Sequence, residues 1–321
     1  MDTLERAGTR TAGRTATGTR TATRTAAESA RTAESARTAE AAQSTRTAGS
    51  ALAADGGHQR AALLGDLRRL GVLPGEVLLV QASLRALGPV AGGPATVVGA
   101  LLEALGGPER GTLVAYTATP ENSDTSRLAA RLTAGLSPAE LTAHRDRLRA
   151  AYRPDGPCSP TMGALSEQIR TTPGALRSAH PQTSFAALGR YAAEVTAGHE
   201  LTSHLGESSP LGRLYGLAAK VLMVGVPLSR FTAFHLADLR QGDPPRRRYG
   251  CVAEVAGRTD WVSFEAPDLD DLHFGALGEQ VRREAHGIRA GRLGDAHCLL
   301  VPIVEAVDVA TRVLRGSLAP H

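Results

Sequence analysis

Glu76-Val77-Leu78-Leu79-Val80-Gln81-Ala82-Ser83, continuing through Leu84-Arg85-Ala86-Leu87-Gly88 to Gly92-Gly93-Pro94-Ala95-Thr96-Val97-Val98, is the stretch that decides the fold. Residues 77–80 form an unbroken apolar run entered from the turn Leu73-Pro74-Gly75. It is too short for a buried helix and reads as a strand covered on both faces. A loop from Ser83 to Gly93 then opens a helix that carries Pro94 in its first turn. Upstream, Leu63, Leu64, Leu67 and Leu70 recur at helical spacing and Gly71 ends the element. Downstream, Thr112-Leu113-Val114-Ala115-Tyr116 reads as a second strand. Helix, strand, helix, strand is the signature of an α/β sandwich, layered α/β/α.

The same alternation continues. A helix is expected over 164–170, a buried strand over 219–226, a helix over 233–241 and a closing helix around 305–315. Strand-like runs at 250–255 and 261–264 suggest a β-rich C-terminal excursion. Residues 121–155 are polar and irregular, with an arginine-rich helix near 138–151. So long an insertion after a strand end is expected to act as a substrate lid.

Residues 1–55 are of a different kind. Thr-Ala-Arg units recur, and Glu28-Ser29-Ala30-Arg31-Thr32-Ala33 is followed directly by Glu34-Ser35-Ala36-Arg37-Thr38-Ala39. With almost no large apolar side chain, this segment cannot offset its ordering entropy and is expected to be a disordered tail. Residues 56–321 then form the folded domain.

Composition excludes several classes. No stretch is long and apolar enough to span a membrane, and no signal core is present, so a cytoplasmic protein is expected. The formal charge of +4 invites a nucleic-acid reading, yet Lys220 is the only lysine and aromatics make up 3% of the chain. An arginine skew of this kind, much of it in the tail, points to coding bias rather than to phosphate binding, and stacking platforms are scarce. Cys158, Cys251 and Cys298 are odd in number and widely separated, which fits free thiols in a reducing compartment and no metal pattern.

Two segments could carry chemistry. Arg177-Ser178-Ala179-His180-Pro181 holds a histidine that the following proline keeps in extended backbone. Phe234-His235-Leu236-Ala237-Asp238 sets a histidine and a carboxylate on one helical face, as a base with its orienter. Asp268, Asp270 and Asp271, with Glu121 and Asp124 from the insertion, would make a rim attractive to a cationic amine. The loop at Ser83, Leu84 and Arg85 with Gly92 and Gly93 before a helix suits an anionic ligand. No Walker A or G-x-G-x-x-G sequence occurs.

From about residue 60 to 245 the chain resembles the aminoglycoside 3-N-acetyltransferase family. The resemblance is carried by Ser83-Leu84-Arg85-Ala86-Leu87-Gly88-Pro89-Val90-Ala91-Gly92-Gly93, by Pro173–Gly189 with its Arg177-Ser178-Ala179-His180-Pro181 core, by Gly206-Glu207-Ser208-Ser209-Pro210-Leu211, and by Val221–Pro227 with Thr232–Asp238. It implies a sandwich fold unlike that of the commoner small acetyltransferases. It further implies transfer of acetyl from acetyl-CoA to the 3-amine of a deoxystreptamine ring. The Ser83–Gly93 loop would seat the CoA, and His180 or His235 with Asp238 would act as base in a direct transfer within a ternary complex.

Two departures stand out. Gln81 occupies a position where the family usually has histidine, and Asp238 one where it usually has glutamate. They keep open two further readings: a binding protein on a decayed transferase scaffold, or an acetyltransferase for some other amine. The sequence also leaves open the oligomeric state, a homodimer included.

Overall fold

Along Val77–Ala82 (β1), successive side chains leave on opposite faces of the sheet. Val77 and Leu79 enter one buried cluster, Leu78 and Val80 the other. The neighbouring strands Thr112–Tyr116 (β2) and Lys220–Val224 (β5) divide in the same way, Val114, Val221 and Met223 to one side and Leu113, Leu222 and Val224 to the other. Both pair parallel to β1, with Leu79 opposite Val114 and Val221. Strands covered on both faces need no polar alternation, which is why they read as continuous apolar runs.

The computed structural model describes residues 57–318; the repeat segment at 1–55 lies outside the described residues. Leu176–Arg177 (β3), Phe185–Gly189 (β4), Arg289–Leu293 (β8) and Ala296–Pro302 (β9) extend the sheet to seven strands in the order β3-β4-β2-β1-β5-β9-β8. The outer pairings are antiparallel. One face is covered by helices Arg60–Leu70, Gly93–Ala104 and Ala164–Thr171 through Leu63, Leu67, Leu101, Leu165 and Ile169. The other is covered by Pro210–Gly216, Phe234–Leu239, Phe274–Glu284 and Ile303–Leu318, with Phe231, Phe234 and Phe274 fully buried. The result is the expected α/β/α sandwich.

Local chemistry agrees with these elements. The Gly71 backbone turns to φ 97°, where its N–H caps the carbonyls of Leu67 and Arg68 and where glycine alone is unstrained. The lone lysine, Lys220, opens β5 and is ion-paired with Glu76 at the start of β1. The Ser83–Gly93 segment is not all loop, since Ser83 caps a short helix, Leu84–Leu87.

The C-terminal β region divides in two. Arg246–Val255 (β6) and Arg258–Pro267 (β7) form a separate two-stranded hairpin, whereas β8 and β9 complete the main sheet. The insertion leans on that hairpin. Asn122 donates to the carbonyl of Val252 and accepts from its N–H, at 2.7 and 2.8 Å. Asp124 accepts from the Gly250 N–H at 2.7 Å. In the insertion's helix Pro138–Ala151, Arg145 lies 4.6 Å over the Trp261 ring and Arg149 bonds Asp260. That helix buries none of its residues and is closed at its start by a Ser137/Glu140 capping box.

Candidate active site

The parallel strands β1, β2 and β5 end on one side of the sheet, where ligands of open α/β sheets gather. Gln81 and Ala82 from the end of β1 and Tyr116 from the end of β2 open there onto a cleft of about 730 Å³. The insertion contributes Arg127 and Arg131 and the loop after β5 contributes Arg230, so this cleft is basic. A second cleft of about 440 Å³ adjoins it, lined by Asp268, Asp270 and Asp271. Arg127 pairs with Asp271 at 2.7 Å and Arg247 with Asp268 at 3.5 Å, which leaves three aspartates facing two arginines.

His235 lines both clefts. It stands on helix Phe234–Leu239 with its ring 4.7 Å from that of Phe274, and its side chain is 13% exposed. Burial pushes the imidazole down to about 4, with the Asp271 carboxylate pulling the other way. It is therefore neutral at pH 7. Its Nδ1 is buried without a hydrogen-bond partner, 3.9 Å from the Asp238 carboxylate. At that distance no hydrogen bond forms. Asp238 instead accepts from His273 Nε2 at 2.8 Å. Burial raises the Asp238 carboxyl and the His273 bond opposes that rise.

Gln81 reaches the loop leading to His235. Its amide nitrogen donates to the Arg230 carbonyl at 2.7 Å and to Thr232 Oγ1 at 2.8 Å, and its oxygen accepts from the Thr232 N–H at 3.3 Å. Gln81 thus ties the end of β1 to the segment that carries His235.

A model of the aminoglycoside 3-N-acetyltransferase family matches residues 79–315. The chain belongs to this family. It is 36% identical over 220 residues to aminoglycoside N(3)-acetyltransferase III of Salmonella sp, a match spanning 66% of this chain and 66% of that enzyme. Its fold superposes on AAC-IIIb in binary complex with CoASH (TM-score 0.70, 29% identity, covering 83% and 99% of the two chains). It also superposes on AAC-VIa bound to sisomicin (TM-score 0.67, 31% identity, 83% and 100%).

Within this acetyltransferase the other expected site residues are dispersed. His180 lies apart from both clefts. It is 2% exposed, and its Nδ1 accepts from the backbone N–H groups of Gln182 and Thr183 at 3.1 Å each, while Nε2 meets the Leu201 carbonyl at 3.1 Å. Burial pushes it down to about 2. Both nitrogens are occupied by backbone groups of the turn at Pro181, and the residue lines a separate cavity of about 270 Å³.

Glu121 and Asp124 are engaged elsewhere. Glu121 accepts from Ser159 Oγ and lines that same cavity of about 270 Å³, whereas Asp124 is held by the hairpin. Neither reaches the aspartate cleft. Asp270 and Asp271 do line it.

Ser83, Leu84 and Arg85 lie between Ala82, on the basic cleft, and Ala86, on a further cavity of about 640 Å³ that shares Val226 with it. Gly92 and Gly93 turn at φ 78° and 64° into helix Gly93–Ala104 and line none of these spaces. Among the described residues no group of three His, Cys, Asp or Glu side chains could hold a metal ion, and no helix is long and apolar enough to cross a membrane.

Several residues around the clefts carry little signal in the sequence. Arg127, Arg131 and Arg230 are hidden among many arginines. His273, which holds Asp238, gives a faint signal as a histidine directly before a helical run, Phe274–Glu284. His204, which lines the aspartate cleft, gives none.

Proposed function

We propose that this protein transfers the acetyl group of acetyl-CoA to an amine, the 3-amino group of a 2-deoxystreptamine aminoglycoside, with His235 as the general base. The observation that carries this reading is the position of His235 on the wall shared by a basic and an acidic cleft. Arg131 and Arg230, with Arg127 shared with Asp271, suit the phosphates of CoA, and the Ser83–Arg85 segment joins Ala82 on this cleft to Ala86 on the further cavity. Asp268, Asp270 and Asp271 suit the ammonium groups of the acceptor.

An ammonium has no lone pair, so a proton must leave before nitrogen can attack the thioester carbonyl. His235 is neutral and borders both clefts, so it is placed to take that proton, with the Asp271 carboxylate offsetting part of the basicity that burial removes. Nitrogen then bonds to the carbonyl carbon, the carbon–sulfur bond breaks, and the thiolate leaves as the thiol with the second proton. The Asp238 carboxylate, one methylene shorter than glutamate, fixes the His235 tautomer only when the 3.9 Å gap closes. No acyl-enzyme is needed. The three thiols suit one poorly, since burial pushes Cys158 and Cys251 up to about 12 and Cys298 to about 11.

The test is thiol release from acetyl-CoA with sisomicin as acceptor. Release that disappears in His235→Gln while both ligands still bind supports the reading. CoA binding without release from any amine would make the protein a non-catalytic relative.

A further inference from the structure

Three histidines stack in one buried cluster, and they are not equivalent. The His180 ring lies 4.7 Å from that of His199 and 4.6 Å from that of His204. His180 has both nitrogens bonded to backbone. His199 is equally complete, with Nδ1 on Ser178 Oγ and Nε2 on the His204 carbonyl, both at 2.9 Å. His204 has neither: its Nδ1 and Nε2 are buried without a partner, and the residue is 3% exposed. Two unsatisfied buried nitrogens are costly to stability, and a protein retains such a group where something else needs it.

The exception lies where a ligand would come. His204 lines the aspartate cleft and, with Leu269, also a smaller cavity of about 220 Å³. The smaller cavity is bordered by Thr202, Ser203 and Ser208, whose hydroxyls are neutral hydrogen-bonding groups. The Tyr249 ring covers His204 at 4.4 Å from the hairpin side.

Resting on the acetyl-transfer reading above, we infer that His204 is a specificity residue of the acceptor cleft, where its imidazole reads a hydroxyl group of a polyhydroxylated amine between the aspartates and the smaller cavity. A neutral imidazole offers one donor and one acceptor, as a hydroxyl does, whereas an ammonium is met by the carboxylates. Burial keeps His204 neutral, with His199 and His235 acting in the same direction.

His204→Phe removes both nitrogens and keeps a ring in the stack. With sisomicin, a hydroxylated amine, the variant should show a KM about tenfold higher. Its kcat, its KM for acetyl-CoA and the inhibition constant of spermidine, which has no hydroxyl, should be unchanged, and its melting temperature equal or higher. An unchanged sisomicin KM beside a changed melting temperature would reduce His204 to a packing residue. Equal weakening of sisomicin and spermidine would mean a distorted cleft; either result overturns the inference. Absence of thiol release by the unmutated protein is a different failure, that of the acetyl-transfer reading itself.

Discussion

His180 and His235 make the instructive comparison. Both are buried histidines, both stand in motifs of the family, and the sequence offers each as the base. The His180 segment has a strand beside it and a turn to hold, so backbone groups claim both ring nitrogens. The His235 segment is a short helix beyond the strand ends, where its ring faces two clefts and no backbone group claims it. On the proposed reading, what separates a structural imidazole from a chemical one is the fate of its nitrogens, and burial alone is no guide.

The largest effect should come from His235→Gln. Loss of a general base predicts a fall in kcat of about 10²–10⁴-fold, measured by thiol release, with the melting temperature little altered. A variant that keeps wild-type kcat would erase the distinction.

His180→Ala should do the reverse. Two backbone N–H groups and one carbonyl lose their partner, at a cost of about 3 kcal/mol of stability. Chemical denaturation would measure it, while kcat per folded molecule well below the melting temperature stays near wild type. A dead but stable variant would return His180 to the chemistry.

The stack itself should respond to pH. His180, His199 and His204 are pushed down to about 2, 4 and 3 from an ordinary 6.5. On acidification the unfolded chain takes up protons first. Stability should be complete above pH 6.5 and fall below it, by about 1.4 kcal/mol per pH unit for each histidine. Denaturation midpoints between pH 7.5 and 4.5 would show this, and His180→Phe should have the shallower slope. Equal slopes would mean that His180 titrates normally.

The mildest change is Asp238→Glu. The extra methylene should bring the carboxylate within hydrogen-bonding reach of His235 Nδ1, raise kcat a few-fold and move the acid limb of the kcat/KM profile upward. A slower enzyme with an unmoved limb would show that Asp238 serves His273 alone.

The central layers were legible in the sequence because periodicity reports burial directly: Leu63 to Leu70 has one buried stripe, and Val77 to Val80 has two covered faces. The sheet edges were not. Arg289-Ala290-Gly291-Arg292-Leu293 is an edge strand with polar exposed positions, and it looks like a loop until β9 pairs with it. The site was half legible. His235 and Asp238 share a helix turn, which spacing can reveal. The bond between Asp238 and His273 joins residues brought together only by packing. Glu121 and Asp124 lie away from the aspartate cleft for a related reason, because charge in the sequence does not say that Ser159 will hold the one and the hairpin the other.

Lys220 has a consequence of another kind. It is the only lysine in the chain, and its ammonium is held by Glu76 and the Gly71 carbonyl at the half-buried start of two strands. Thioesters acylate free lysine amines without any enzyme. A protein that binds one for its living here offers a single lysine, engaged in an ion pair, as a target for its own cosubstrate.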